Sequence, residues 1–173
     1  MRCAVRMAAA SLAGGLAMGL AMFLTFQLVG FGSNGDGILL DPRTQSAKVI
    51  AVWTSMDPKP RIIESPVFMQ AGFIVLAAIH AAVYRSVAAA WPQGILPRAL
   101  RFAGMLFGLT FLFWEFFTPF NLFGEPPGLI ALELLFWAFV ALSEGFAIVS
   151  VVEFGSPRKP SGPIGRPASG RPE

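Results

Sequence analysis

Residues 110–137, TFLFWEFFTPFNLFGEPPGLIALELLFW, carry Glu115 and Glu133 through the most apolar and aromatic-rich part of the chain, with no basic residue between them. Glu144 follows in the same apolar run as Glu133, and the single histidine, His80, lies in another. Carboxylates in such surroundings can relay a proton, hold a cation, or grip the polar end of a substrate. Placing one at the centre of a membrane helix costs about 2.5–3.5 kcal/mol on insertion scales, so a functional reading is the default. The cost falls toward the interface, and depth therefore decides its weight.

Glu115 and Glu133 stand nine residues either side of Gly124, at the tip of a helical hairpin. With a rise of about 1.5 Å per residue, both sit roughly one to two turns below the outer surface, at similar depth on neighbouring helices. They form a candidate pair, and two close carboxylates in low dielectric cannot both ionise cheaply. Gln27 and Gln70 lie at a comparable level and are expected to donate hydrogen bonds to the pair. Pro119 has no N–H, which would deprive the Glu115 carbonyl of its usual helical donor. Glu144 is eleven residues beyond Glu133, on the same helix face, with Trp137 between them. His80 reaches nearly the depth of Glu144, with Tyr84 a turn further in, so His80 and Glu144 form a second candidate pair. Two polar clusters joined along one helix resemble a proton or cation path. The structural alternative is that each carboxylate only satisfies a tryptophan N–H or a glutamine. Glu64 and Glu125 read as ordinary exposed groups.

The elements that must position these residues follow from composition. Of the 173 residues 55% are hydrophobic and only 13% charged, against about 25% charged in a soluble domain. The charges cluster and leave four apolar runs long enough to cross a hydrocarbon core about 30 Å thick. The expected fold is all-α, a polytopic membrane protein with four transmembrane helices in a compact bundle. All four runs must be helical, because an open sheet would leave backbone groups unpaired in lipid.

The N-terminus is residues 1–6, the first span 7–30, and an external loop 31–66. The second span is 67–90, a cytoplasmic loop 91–97, the third span 98–119, a short external loop 120–127, and the fourth span 128–152. The tail, 153–173, is rich in Pro, Gly, Ser and basic residues, a composition expected to be disordered; its bases suit contact with anionic headgroups. The first run continues through Met18, Met22, Phe23 and Phe26 without a small-residue cleavage site, and so reads as a retained signal-anchor. Within the external loop, Asp41–Pro42 is a helix-start signal. Val49, Val52, Trp53 and Met56 then recur with the period of a short amphipathic helix over about 42–56. Trp53, Trp91 and Trp114 suit the interfaces.

Threading the four spans alternately puts nine of the 13 basic residues on one side: Arg2, Arg6, Arg85, Arg98, Arg101, Arg158, Lys159, Arg166 and Arg171. By the positive-inside rule both termini are cytoplasmic, in the plasma membrane. The basic balance is thus accounted for by orientation and does not point to nucleic acid. Gly15 and Gly19, and Gly104 and Gly108, are spaced for close helix packing, so spans one and three are expected to meet or to dimerise.

Several chemistries are excluded. One cysteine, Cys3, and one histidine make no zinc centre within a chain. NGDG resembles the start of a calcium loop, but counting from Gly32 puts Arg43 where the bidentate carboxylate belongs. There is no nucleophile–His–Asp arrangement, phosphate-cradling glycine loop or H-E-x-x-H helix, and no metal or cofactor is expected. The first functional reading is an accessory or interaction component without catalysis, partnered by the lipid bilayer and by a second copy or another membrane protein. A small proton-coupled permease is the second. The third is a membrane enzyme whose paired carboxylates meet a lipid or quinone-like substrate.

Overall fold

The structure, a computed structural model, describes residues 2–154; the basic tail from 155 onward lies outside them. Helix α1 (Arg2–Met22) continues as wider π-helical turns over Phe23–Phe31. A loop carries two short helices, α2 (Ala47–Thr54) and α3 (Arg61–Glu64), before α4 (Pro66–Val87). The third long helix is composite: α5 (Ile95–Leu106), a π segment, α6 (Leu112–Glu115), and a second π segment over Phe116–Leu122. Helix α7 (Pro127–Glu153) closes the fold. Four helices, Cys3–Phe31, Pro66–Ala90, Ile95–Leu122 and Pro127–Glu153, are long and apolar enough to cross a membrane. The architecture is an all-helical membrane bundle.

The boundaries differ from the sequence reading where local chemistry differs. Helix α1 starts before Met7 and takes Arg6 into its first turns, where its guanidinium donates to Val152 O at 3.3 Å. Pro119 does not end the third helix: it lies inside wider turns that run on to Leu122 and close with Phe123 N–H on Thr118 O at 3.2 Å and Glu125 N–H on Pro119 O at 3.0 Å. The Asp41–Pro42 signal builds a turn rather than a helix start. Asp41 accepts from the Arg43 backbone and side chain, which holds its carboxyl at about 2, and its carbonyl accepts from Thr44 and Gln45. Helix α2 starts only at Ala47, with Ser46 Oγ capping the Val49 N–H at 3.3 Å.

Helix α1 packs on α4 and α7, and α5 packs on α7. Small residues set these approaches. A Cβ on Gly15 would lie 2.6 Å from the Cα of Ile74, one on Gly14 would lie 2.6 Å from Ile148 Cγ1, and one on Gly145 would lie 3.2 Å from Ala103 Cβ. The Gly15/Gly19 groove therefore receives α4, not the third span. Gly104 and Gly108 have nothing within 4 Å and face outward. The core is densest toward the end holding the chain termini, where Ala77, Ala81, Tyr84, Phe102, Val140 and Ile148 are fully buried. The backbones of α4 and the third helix stay apart along their length, and at the opposite, loop end the space between them opens.

Gly15→Leu should cost about 1–3 kcal/mol of stability, because the α4 backbone cannot yield. Gly104→Leu should stay within about 0.5 kcal/mol, because its Cβ meets open space. Thermal unfolding of both variants in one detergent checks this contrast, and equal losses would contradict the packing described.

A carboxylate-floored cavity at the loop end

The opening between α4 and the third helix is a cavity of about 810 Å³. Its walls come from all four long helices, and α2 and α3 contribute from the loop side through Val49, Trp53 and Ile62. That volume lies within the range of small-molecule sites, about 300–1,000 Å³. Aromatic rings dominate the lining, among them Phe26, Trp53, Phe73, Trp114 and Trp137. Three carboxyl groups, Glu115, Glu125 and Glu133, also line it.

Glu115 is 1% exposed, and one of its oxygens accepts the indole N–H of Trp137. Trp137 is fixed by rings on both sides: Phe111 stacks on it at 4.5 Å and Phe26 lies at 4.6 Å. The other Glu115 oxygen is buried and meets no donor among the described residues. Glu133, 8% exposed, lies in direct contact with the Glu115 carboxyl, and no described donor reaches it. A hydrogen bond to a charged group contributes about 1.5–3 kcal/mol, whereas desolvating one ion costs several kcal/mol. Trp137 alone does not balance two buried carboxyls. The site asks for a further proton or cation.

Glu125 belongs to the cluster, although its place in a short polar turn suggests exposure. It is 3% exposed and accepts from Gln45 Nε2 at 2.5 Å, while Gln45 also donates to Leu39 O at 3.1 Å. Ser46 Oγ donates to Phe123 O at 2.9 Å, so two adjacent loop residues tie the 31–66 segment to the turn between the third and fourth helices. Burial pushes the Glu125 carboxyl up, and the nearby Glu115 adds to it, against the opposing hydrogen bond from Gln45. The sequence signal for this burial is weak: a carboxyl between Gly124 and Pro126 in a turn without bases.

The two glutamines take different places. Gln70 lines the cavity, but its amide N–H donates to Gly15 O at 2.9 Å and is committed to helix packing. Gln27 lines the cavity and makes no hydrogen bond among the described residues. At the other end of α7, His80 Nδ1 lies 2.8 Å from Glu144 Oε1, with both residues buried. Further along α7, Glu153 accepts from Tyr84 OH at 2.6 Å and from Arg98 Nη1 at 2.5 Å. Glu144 and Glu153 thus have basic partners, and the loop-end carboxyls have none. The Tyr84–Glu153–Arg98 group is not evident in the sequence, because its members come from three separate helices. Val140 and Ala141, essentially fully buried, separate the two ends along α7.

No group of three or more His, Cys, Asp or Glu side chains is arranged to hold a metal ion among the described residues. Comparison with protein families, with curated proteins and with solved structures finds no match to this chain.

The raised Glu125 carboxyl gives a signed pH dependence. A group that is harder to ionise in the folded state stabilises it at low pH, and this contribution is lost as pH rises past the ordinary carboxyl value of 4.5 and through the raised one. Amide exchange across residues 38–54 should therefore speed up with pH beyond its intrinsic dependence. Glu125→Gln keeps an acceptor for Gln45 and should flatten that excess; an unchanged profile would contradict the assignment.

Proposed function

We propose that this chain is an integral protein of the cell membrane that works by binding rather than by catalysis, taking a small, largely apolar molecule into the loop-end cavity. In this reading both termini are cytoplasmic, following the distribution of basic residues, and the cavity opens in the outer half of the bilayer. The observation that carries the proposal is the cavity itself, about 810 Å³, lined mainly by aromatic rings and floored by Glu115 and Glu133. Membrane interiors close-pack wherever helices can meet, and α1, α4, α5 and α7 do so over their inner halves. A large space kept open at one end, with convergent polar groups at its base, is the form of a ligand site. The groove at Gly104 and Gly108 leaves room for a helix partner as well, either a second copy or another membrane protein.

Photolabelling with an alkyl diazirine in nanodiscs, mapped by mass spectrometry, tests this. Wild type should take label at Met69 and Phe73 in the cavity and at Leu109 on the lipid-facing surface. Thr118→Trp, which sets a bulky ring into the cavity from the wall opposite Met69 and Phe73, should cut the first by at least fivefold and leave Leu109 unchanged. Labelling of the cavity wall that ignores Thr118→Trp would sink the reading.

The His80–Glu144 contact favours a second reading, a small proton-coupled permease. Eleven residues along α7 separate Glu133 from Glu144, about 16 Å at the helical rise. An outer cavity above a closed inner half, with a titratable pair below, has the layout of a carrier open to one side. Reconstituted protein should then acidify or alkalinise liposomes under an imposed gradient of permeant substrate, and His80→Gln with Glu144→Gln should reduce that flux at least tenfold. Flux equal to wild type in the double variant would leave binding without transport.

A further inference from the structure

The loop-end cavity is acidic as well as aromatic, and that combination narrows what it can hold. Glu115, Glu125 and Glu133 are each more than nine-tenths buried and all line it. Arg61 is the one basic residue on the described lining; it sits at the rim, 71% exposed, and turns to Glu64 at 3.7 Å. No described side chain therefore brings positive charge to the floor. The hydrogen-bonding inventory leans the same way. Glu115 Oε2 is buried without a described donor, and Glu133 meets only the Glu115 carboxyl. One Gln70 N–H is used by Gly15, and the amide donors left on the lining, those of Gln27 and the second of Gln70, are neutral. What the described floor lacks is positive charge.

The walls supply the other half of the recognition. An aromatic face attracts a cation by about 0.5–2 kcal/mol, more as water is excluded, and cages of such rings are a recurrent solution for ammonium groups. Trp53 and Trp114 belong to separate segments yet line one space, whereas Trp137, held between Phe111 and Phe26, presents its edge to Glu115. Hydrocarbon fits the remaining apolar wall. A neutral apolar molecule would leave the pair to a shared proton, an ammonium would bring both donors and charge to it, and an anion would be repelled.

We propose that the cavity binds a lipophilic ammonium ion, its N–H donors on the Glu115/Glu133 pair and its hydrocarbon body against the aromatic wall. The proposal rests on the binding reading above and adds the ligand's charge and donor chemistry. The same chemistry has two sources, a free alkylamine or the ammonium head of an aminolipid.

The test uses the full chain in phosphatidylcholine nanodiscs and measures protection of Met69 and Phe73 from the alkyl diazirine. Dodecylammonium should protect at a concentration at least tenfold lower, relative to lipid, than dodecanol, which has the same chain and no charge. Glu115→Gln with Glu133→Gln should erase that difference. Where the double variant fails to fold, the ammonium–alcohol contrast in wild type decides alone. Equal protection by the two probes would overturn the ammonium assignment while leaving the cavity a binding site. Cavity labelling that is absent, or insensitive to Thr118→Trp, would overturn the binding reading and this one with it. Replacing half of the phosphatidylcholine by phosphatidylethanolamine separates the sources: protection already present without probe identifies the aminolipid head, and an unchanged dodecylammonium curve identifies a free amine.

Discussion

Hydrocarbon offers a carboxylate neither a donor nor a counter-charge, and the polar architecture of this protein is organised by that constraint. Each buried acid has to find its partner inside the bundle. Toward the terminal end the chain supplies them: His80 for Glu144, and Tyr84 with Arg98 for Glu153. These contacts hold α4, α5 and α7 together where the core is also tightest. Toward the loop end the partners are an indole, an amide and another carboxyl, none of them charged positively. Each end keeps one buried carboxylate oxygen without a described donor, Glu144 Oε2 and Glu115 Oε2, but only the terminal end pairs its acids with basic side chains, and the end without them is the one left open.

The backbone follows the same division. Regular α-helix runs through the dense end, whereas π-helical turns occur in Phe23–Phe31 and Phe116–Leu122, beside the cavity. Wider turns splay the side chains and shift the face a helix presents. Phe26 and Thr118, both on the cavity lining, lie in these turns, and Pro119 sits inside the second without breaking the helix. Gly32, at a φ of +74°, ends the first span at the start of the loop.

Much of this is written in the sequence in a form that simple physics can read. Four apolar runs, basic clusters at alternate ends and proline boundaries suffice for the helices, because lipid leaves the backbone few alternatives. The equal spacing of Glu115 and Glu133 about Gly124 places them at one depth, and helical rise brings His80 and Glu144 level. The cavity is another matter. A void is the absence of packing, and no residue type announces it; it depends on α4 and the third helix diverging. Glu125 looks exposed because its burial depends on Gln45, eighty positions away, folding over it. Gln70 has the right depth for a carboxylate partner, but the Gly15 carbonyl, brought close by the missing side chain, takes its N–H first. The glycine pairs show the same limit: both have the right spacing, and only the tertiary arrangement decides that one is filled and the other is open.

The gap between α4 and the third helix has a consequence for how the site is reached. Residues of α2 and α3 line the cavity from the loop, while Met69 and Phe73 of α4 and Trp114 and Thr118 of the third helix line it from two helices whose backbones stay apart, which in a bilayer would leave a seam between them. A molecule using that seam arrives by two-dimensional diffusion from the acyl chains. Its occupancy then follows its mole fraction in the membrane rather than its concentration in water. Doubling the lipid at fixed total ligand would halve the effective dose, and a compound's partition coefficient would weigh as heavily as its fit.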